Sequence, residues 1–329
     1  MATNVFYATT SYHLLLSTAI AKEKTTDKNV LIFNPGFHGY EIGERLLHSP
    51  FSPFSDFYTL PRWYNGKRYS PIFKLIDTFR SHKFIRQYRP IKKCYVTNNS
   101  RPVAQHIMGE SQSIVHVEDG LAAYTNISKK SSTKKEKIAR IMYGPHFVGR
   151  SALGLDERIQ QYNLTYPRYA SGDLRRVQKQ KIDHRKIEIA AEVWAEILSS
   201  AGECDFSDVD MFVALPHSSG INKSKQRRIE QVIEKNSLEG KTVIKYHPND
   251  EERYLSGVEN TVEIDSKVPA EVIYGGGNIS KVVGGISTAL YSAKIICDTQ
   301  EIYLLRSDNR GSNIYEFFEQ IDIGTIRLE

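Results

Sequence analysis

Glu118-Asp119-Gly120 sets two carboxylates beside a residue that adopts the left-handed backbone without strain. Paired carboxylates suit the abstraction of a proton from a hydroxyl. A carboxyl crowded by another and partly withdrawn from water has its pKa raised, which makes it a better base near neutrality. The same tripeptide also closes ordinary turns. His247-Pro248, with Lys245 two residues upstream, offers an imidazole that can hydrogen-bond a phosphate and stabilise a departing nucleotide. A histidine before a helix-breaking proline is also a common strand ending. Gly284-Gly285-Ile286-Ser287-Thr288-Ala289 joins glycines, which let the backbone approach a phosphate, to two hydroxyls and the free amides of a helix start. It fits neither a P-loop nor a dinucleotide fingerprint, and Ser287 or Thr288 also serves as a plain helix cap. Ser218-Ser219-Gly220 is a small polar loop suited to a base or ribose contact. Asp208-Val209-Asp210 has the Asp-x-Asp form that holds a metal in some sugar-nucleotide enzymes, but it precedes its strand and reads as a solvated turn. No other cluster has the spacing of metal ligands.

The elements that would position these residues repeat one pattern. Short apolar runs at Asn4–Ala8, Val30–Phe33, Phe57–Leu60, Cys94–Thr97 and Ile114–Val117 read as strands, with helical spacing over His13–Lys22, Pro71–Tyr88 (Phe73, Ile76, Phe79, Phe84) and Pro102–Met108. The second half continues with strands at Met211–Leu215, Thr242–Tyr246, Thr261–Ile264, Lys281–Val283, Ile295–Cys297 and Ile302–Leu305, and helices at Arg227–Lys235 and from Ala289. A long charged helix over Leu174–Leu198 links the halves. Strand, polar turn, helix in repetition is the signature of α/β domains with parallel sheets, whose ligands lie at the carboxyl ends of the strands. Thr9 to His13, with Thr10, Ser11 and His13, then shares one edge of the first domain with Asn98, Asn99 and Glu118 to Gly120. The expected division is residues 1–180, residues 181–310, and a terminal helix in 311–329 packing back on the first domain.

A chain of 329 residues with 40% hydrophobic and 25% charged residues has material for two globular cores. Its formal charge of +6 favours anionic partners such as nucleotides, acidic sugars or anionic lipid. No nucleic-acid motif of defined spacing is present, so nucleic acid is not among the expected partners. Cys94, Cys204 and Cys297 are scattered, which argues against a disulfide framework and suits a reducing compartment. The first residues have no basic segment of the kind that opens a signal peptide, and no apolar run reaches the ~20 residues of a membrane span. The expectation is a cytoplasmic protein. The basic run Lys129–Arg140 reads as a solvated face, with room for a peripheral contact at the inner face of the inner membrane.

The order of the motifs carries more than any one of them. An acidic-acidic-Gly motif, then His-Pro, then a Ser-Thr pair resembles the bacterial sialyltransferase and polysialyltransferase families, here as Glu118-Asp119-Gly120, His247-Pro248 and Ser287-Thr288. The opening Val5 to Leu15, with Tyr12-His13-Leu14, and the segment Val268-Pro269-Ala270-Glu271 are similar too. The resemblance implies a GT-B fold of two Rossmann-like domains with parallel sheets facing a central cleft. It also implies a CMP-sugar donor, inversion at the anomeric carbon, no cofactor and no metal. By motif, Asp119 is similar to the base that activates the acceptor hydroxyl, with Glu118 as a candidate substitute. His247 is similar to the residue that binds the donor phosphate and assists departure of CMP, beside Pro248, Gly285, Ser287 and Thr288.

The implied reaction moves sialic acid, or a related nonulosonic acid, to a hydroxyl of a cell-surface glycan. Transfer of Kdo, pseudaminic or legionaminic acid from CMP is an alternative, because ring substituents are read by shape rather than by motif. A sugar-nucleotide epimerase would keep the phosphate loop without CMP. A non-catalytic nucleotide binder would not require Asp119.

Overall fold

The computed structural model describes residues 2–34, 40–60, 71–124, 156–171, 177–200, 209–237, 240–248, 260–299, 301–306 and 313–328, with 174, 206, 250, 253–255 and 258 between them. The chain divides into two compact units, Met1–Lys186 and Ile187–Glu329.

The first unit is built on strands β1 (Thr3–Ala8), β2 (Lys28–Phe33), β3 (Asp56–Thr59), β4 (Ile91–Val96), β5 (Ser111–Val117), β6 (Gln161–Leu164) and β7 (Gln178–Lys181). They form one parallel sheet in the order β3-β2-β1-β4-β5-β6-β7. The chain runs outward from β1 to β3 in one direction and from β4 to β7 in the other. Right-handed crossovers then put helices α1 (Ser11–Lys22) and α2 (Tyr40–His48) on one face, and α3 (Pro71–Arg86) and α4 (Pro102–Gly109) side by side on the opposite face. Central β1 is buried along its whole length, as a strand covered on both faces must be. The side-chain amide of its polar Asn4 donates inside the unit, to Asn29 Oδ1 at 3.1 Å and Asp27 Oδ2 at 3.2 Å.

The second unit repeats the design. Strands β8 (Val209–Ala214), β9 (Lys241–Lys245), β10 (Thr261–Glu263), β11 (Lys281–Gly284), β12 (Glu301–Arg306) and β13 (Gly324–Arg327) form a parallel sheet in the order β10-β9-β8-β11-β12-β13. Its helices are α5 (His184–Ser200), which begins at the end of the first unit, α6 (Lys223–Asn236), α7 (Ala270–Gly276), α8 (Thr288–Ile296) and α9 (Asn313–Gln320). Helix α5 buries Ile187, Ala190, Ala191, Trp194, Ala195 and Leu198, one stripe at helical spacing. Helix α7 approaches it so closely that a Cβ on Gly275 would stand 2.2 Å from the backbone of Ala191.

Four expectations from sequence are corrected or extended. Leu174–Leu198 is not one helix: Gln178–Lys181 is the edge strand β7, and its polar, mostly exposed side chains suit an edge. Ile295–Cys297 is not a strand but the end of α8, where the Cys297 amide donates to Ala293 O at 2.8 Å; an apolar run this short has no period to tell the two apart. The terminal segment holds the expected helix and, beyond it, a strand that the sequence does not announce. Phe317 of α9 meets the ring of Tyr291 on α8 at 5.8 Å, and β13 pairs with β12 from Tyr303↔Gly324 to Arg306↔Arg327. Helix α3 forms as expected, but Phe79 faces solvent at 70% exposure while Asp77, Thr78, Ser81 and Ile85 turn inward.

Candidate active site

Because the sheets are parallel, each unit gathers its strand-ending loops at one edge. In the first unit these follow β1, β4 and β5, with β6 beside them. Thr10 caps α1, its hydroxyl accepting from the His13 amide at 3.2 Å, and this start places His13 in the first turn over the sheet edge. His13 Nδ1 lies 2.9 Å from Thr9 Oγ1, and His13 Nε2 lies 2.7 Å from Asp119 Oδ1. His13 is 2% exposed and Asp119 20%, so the carboxylate is the reachable member of the pair. Ser11, the first residue of α1, is half-buried beside it.

The two neighbouring carboxylates have opposite environments. Glu118 still pairs with the sheet, its amide donating to Asn163 O at 3.1 Å, so its side chain goes into the domain and is fully buried. There it accepts from Tyr12 OH, from Tyr124 OH at 2.5 Å, from the Thr165 amide at 2.8 Å and from Thr165 Oγ1. Burial pushes its carboxyl up, against the pull of those donors. Asp119 leaves the sheet, and Gly120 follows at φ 54°, the left-handed turn expected of this motif. Burial raises the Asp119 carboxyl too, but the charge and hydrogen bond of His13, with His116 and Arg101 beyond, outweigh it and hold it below the usual range. The expectation of a base with a raised pKa is therefore corrected: His13, not a second carboxylate, is the dominant neighbour.

The loop after β4 is partly committed to its own turn. Asn98 Oδ1 accepts from Ser100 Oγ at 2.6 Å and from the Ser100 amide at 3.2 Å, and Asn99 is fully buried. Exposed Arg101, at the head of α4, sends its positive charge toward Asp119. Arg101 is not among the candidates read from sequence, although it stands two residues past Asn99.

In the second unit the adjacent strands β9, β8 and β11 bring together three loops: Tyr246 to Pro248, Pro216 to Gly220, and Gly285 to Thr288. The His217 and His247 rings stand 4.9 Å apart. Asp250, whose side chain is wholly buried, accepts from the Ser218 amide at 3.1 Å and from Ser218 Oγ at 2.7 Å, and lies 3.3 Å from His217 Nδ1. The Ser218 hydroxyl is thereby an anchor of the loop. His217 Nδ1 also accepts from the Ser219 amide at 3.1 Å. While Nδ1 accepts from the Ser219 amide, a neutral His217 ring carries its proton on Nε2 and presents Nε2–H. Tyr254 OH braces the loop from below on Pro216 O at 2.9 Å.

Ser287 caps α8, accepting from the Leu290 amide at 3.2 Å, so Thr288 and Ala289 open the helix with their amides directed outward. A Cβ on Gly285 would stand 2.7 Å from Pro216 Cβ, which shows how tightly the two loops pack. Lys245, buried at the end of β9, donates to Ser266 O; burial lowers its pKa to about 8 against the pull of Glu271 and Asp265.

His217 and Asp250 were not assigned from sequence. The only signal was their place in the Pro216–Gly220 loop and three residues past His247. Asp210 lies near the start of β8, at the opposite end from these loops, while Asp208 and Lys129–Arg140 lie outside the described residues. Among the described residues two groups of metal-ligating side chains do assemble, His217-His247-Asp250 and His82-His106-Glu110, neither of which shows as a compact motif in the sequence. No described helix is long and apolar enough to cross a membrane.

Comparison with known structures places the fold. A UDP-GlcNAc 2-epimerase from Neisseria meningitidis superposes with a TM-score of 0.56 at 12% identity, over 99% of this chain and 95% of that one. The glycosyltransferase SnogD from Streptomyces nogalater gives 0.55 at 9% identity, over 100% and 87%. The spinosyn rhamnosyltransferase SpnG gives 0.54 at 10% identity, over 99% and 86%. Identities this low establish the GT-B fold and nothing about substrate. No curated protein matches by sequence. The model of one family, alpha-2,8-polysialyltransferase (POLYST), matches residues 3–306, which include both loop edges. The chain belongs to the alpha-2,8-polysialyltransferase family and is a glycosyltransferase, taking a nucleotide-sugar donor and a glycan acceptor.

Proposed function

We propose that the protein transfers sialic acid, or a related nonulosonic acid, from a CMP donor to a hydroxyl of a glycan acceptor, with inversion and without a metal. The observation that carries this reading is the His13–Asp119 pair, a reachable carboxylate backed by a buried imidazole at 2.7 Å. Asp119 is the base. A carboxylate held below the usual range is a weak base, and that suffices here. As the acceptor oxygen bonds to the anomeric carbon it becomes strongly acidic, and its proton passes to Asp119 while His13 steadies the carboxylate. Exposed Arg101 supplies a positive charge suited to an acidic sugar on the acceptor side.

The second unit holds the donor. Breaking the bond to CMP adds negative charge to its phosphate. His217 Nε2–H, His247 and the outward amides of α8 supply the donors and the positive potential that would otherwise fall to a metal. Asp250 anchors the loop that carries His217. Glu118 positions the β5–β6 end rather than substituting as a base, since it is buried and accepts from three residues.

The test is release of CMP from CMP-sialic acid with and without a sialoside acceptor, in EDTA, alongside calorimetric binding of CMP. Acceptor-dependent release that survives EDTA supports the proposal. Binding of CMP without release from this donor redirects it to another CMP sugar, and absence of CMP binding overturns it.

A further inference from the structure

Helices α3 and α4 lie side by side on one face of the first sheet, and on their shared surface stand three side chains that the glycosyl-transfer chemistry does not use. His106 and Glu110 are four residues apart at the end of α4, hence on one side of it. His82 reaches them from α3. His82 Nδ1 and His106 Nε2 point directly at each other in a short contact, with ring centroids 4.5 Å apart. One ligand atom from each of the three residues lies within 4.8 Å of the others, and all three residues are half-buried. Arg89 Nη2 holds Glu110 Oε1 at 2.5 Å.

We infer that His82, His106 and Glu110 form a binding site for a divalent cation of the zinc class, clipping α3 to α4. Two imidazoles and one carboxylate are the ligand set that suits a borderline cation such as Zn2+ or Co2+, whereas Mg2+ and Ca2+ prefer oxygen alone. In a tetrahedral site the two ring nitrogens would separate to about 3.3 Å with the ion between them, water completing the set. Outside the site, Arg89 is the kind of partner that orients a ligating carboxylate. Without an ion, the facing nitrogens require one ring to donate to the bare nitrogen of the other, which must be neutral. An ion exchanges that single bond for two and ties the two helices together. Helix α4 also begins directly after the Asn98–Arg101 loop, so the clip would stiffen the support of that loop. The inference stands on this cluster alone and does not depend on the donor or the acid-base roles assigned above.

The experiment is titration of the full chain, freed of metal, with ZnCl2 by calorimetry, and with CoCl2 by visible absorption, for the wild type and for His82→Gln, His106→Gln, Arg89→Ala and His217→Gln. The inference expects one ion per chain whose affinity survives His217→Gln. That ion should weaken by roughly tenfold in Arg89→Ala and by more than ~100-fold in either His82→Gln or His106→Gln, since even outer partners are worth about 10–100-fold. Circular dichroism of the metal-free variants checks that each is folded. Should one fail to fold, X-ray absorption of the zinc-loaded wild type decides, with two imidazoles and a carboxylate expected around the ion. No zinc binding, binding unchanged in both histidine variants, or binding lost only in His217→Gln would overturn it.

Discussion

Glu118 and Asp119 are neighbours in sequence, and the structure requires them to respond to mutation in opposite ways. Glu118→Ala removes the acceptor of Tyr12 OH, Tyr124 OH and both donors of Thr165. Tyr124 OH keeps its 3.0 Å contact with Thr165 Oγ1, so those two hydroxyls satisfy each other. The Tyr12 hydroxyl and the Thr165 amide lose this acceptor inside the domain. At about 1–3 kcal/mol for each buried donor so deprived, the loss is about 2–6 kcal/mol, a large part of an ordinary domain's stability. With a urea slope of about 2 kcal/mol/M the midpoint falls by about 1–3 M. Asp119→Asn keeps an oxygen for His13 Nε2–H at a partly exposed position and should cost about 1 kcal/mol or less. Transfer, in contrast, should fall by at least about 100-fold with CMP binding retained, because the proton acceptor is gone. The assay pairs urea unfolding followed by circular dichroism with CMP release. A Glu118→Ala midpoint within about 0.2 M of wild type, or Asp119→Asn with undiminished transfer, would refute the division of roles.

Three further outcomes follow from the geometry. His116 is buried against Tyr162 at 5.4 Å between ring centroids, and burial lowers its pKa to about 4. The unfolded ring charges near 6.5 while the native ring stays neutral, so stability is full above that value and falls by about 3 kcal/mol as pH drops to about 4. His116→Phe should flatten that slope in urea titrations run across pH 4–7, and an unchanged slope would exclude His116 as its source. Gly285→Ala forces a Cβ against Pro216, in the loop that carries His217, and should destabilise the second unit by about 1–3 kcal/mol while weakening CMP binding in calorimetry. Asp250→Asn keeps an acceptor for Ser218 but loses the charge beside His217. It should raise the dissociation constant of CMP by about tenfold, equivalent to ~1.4 kcal/mol, with little change in kcat once donor is saturating.

Much of this molecule is legible from local pattern. Short apolar runs mark ten of the strands, most plainly the central ones, because a strand covered on both faces must be apolar throughout. Parallel pairing then carries Asp119, His247 and Ser287 to strand ends without any knowledge of contacts. The caps at Thr10 and Ser287 are local as well, since each hydroxyl meets an amide three residues on. What sequence could not decide depends on residues far apart in the chain. Polar β7 has no apolar signal and exists because β6 offers it an edge, and β13 exists because β12 does.

The choice between the two carboxylates is of the same kind. Alternation along a strand says that adjacent side chains face opposite ways, but not which way is in. Tyr12 and Thr165, 106 and 47 residues away from Glu118, make its side the inner one. His13, on a helix that starts far upstream, draws Asp119 to the edge and lowers its pKa where a carboxylate pair would have raised it. His217 with Asp250, and His82 with His106 and Glu110, likewise acquire meaning only when folding places them within reach of one another. Hydrogen bonds and ion pairs act over a few ångströms of space and are indifferent to distance along the chain. The sequence by itself therefore determined which edge of each sheet gathers the candidate residues, and the tertiary structure alone decided which atoms there are reachable, charged and paired.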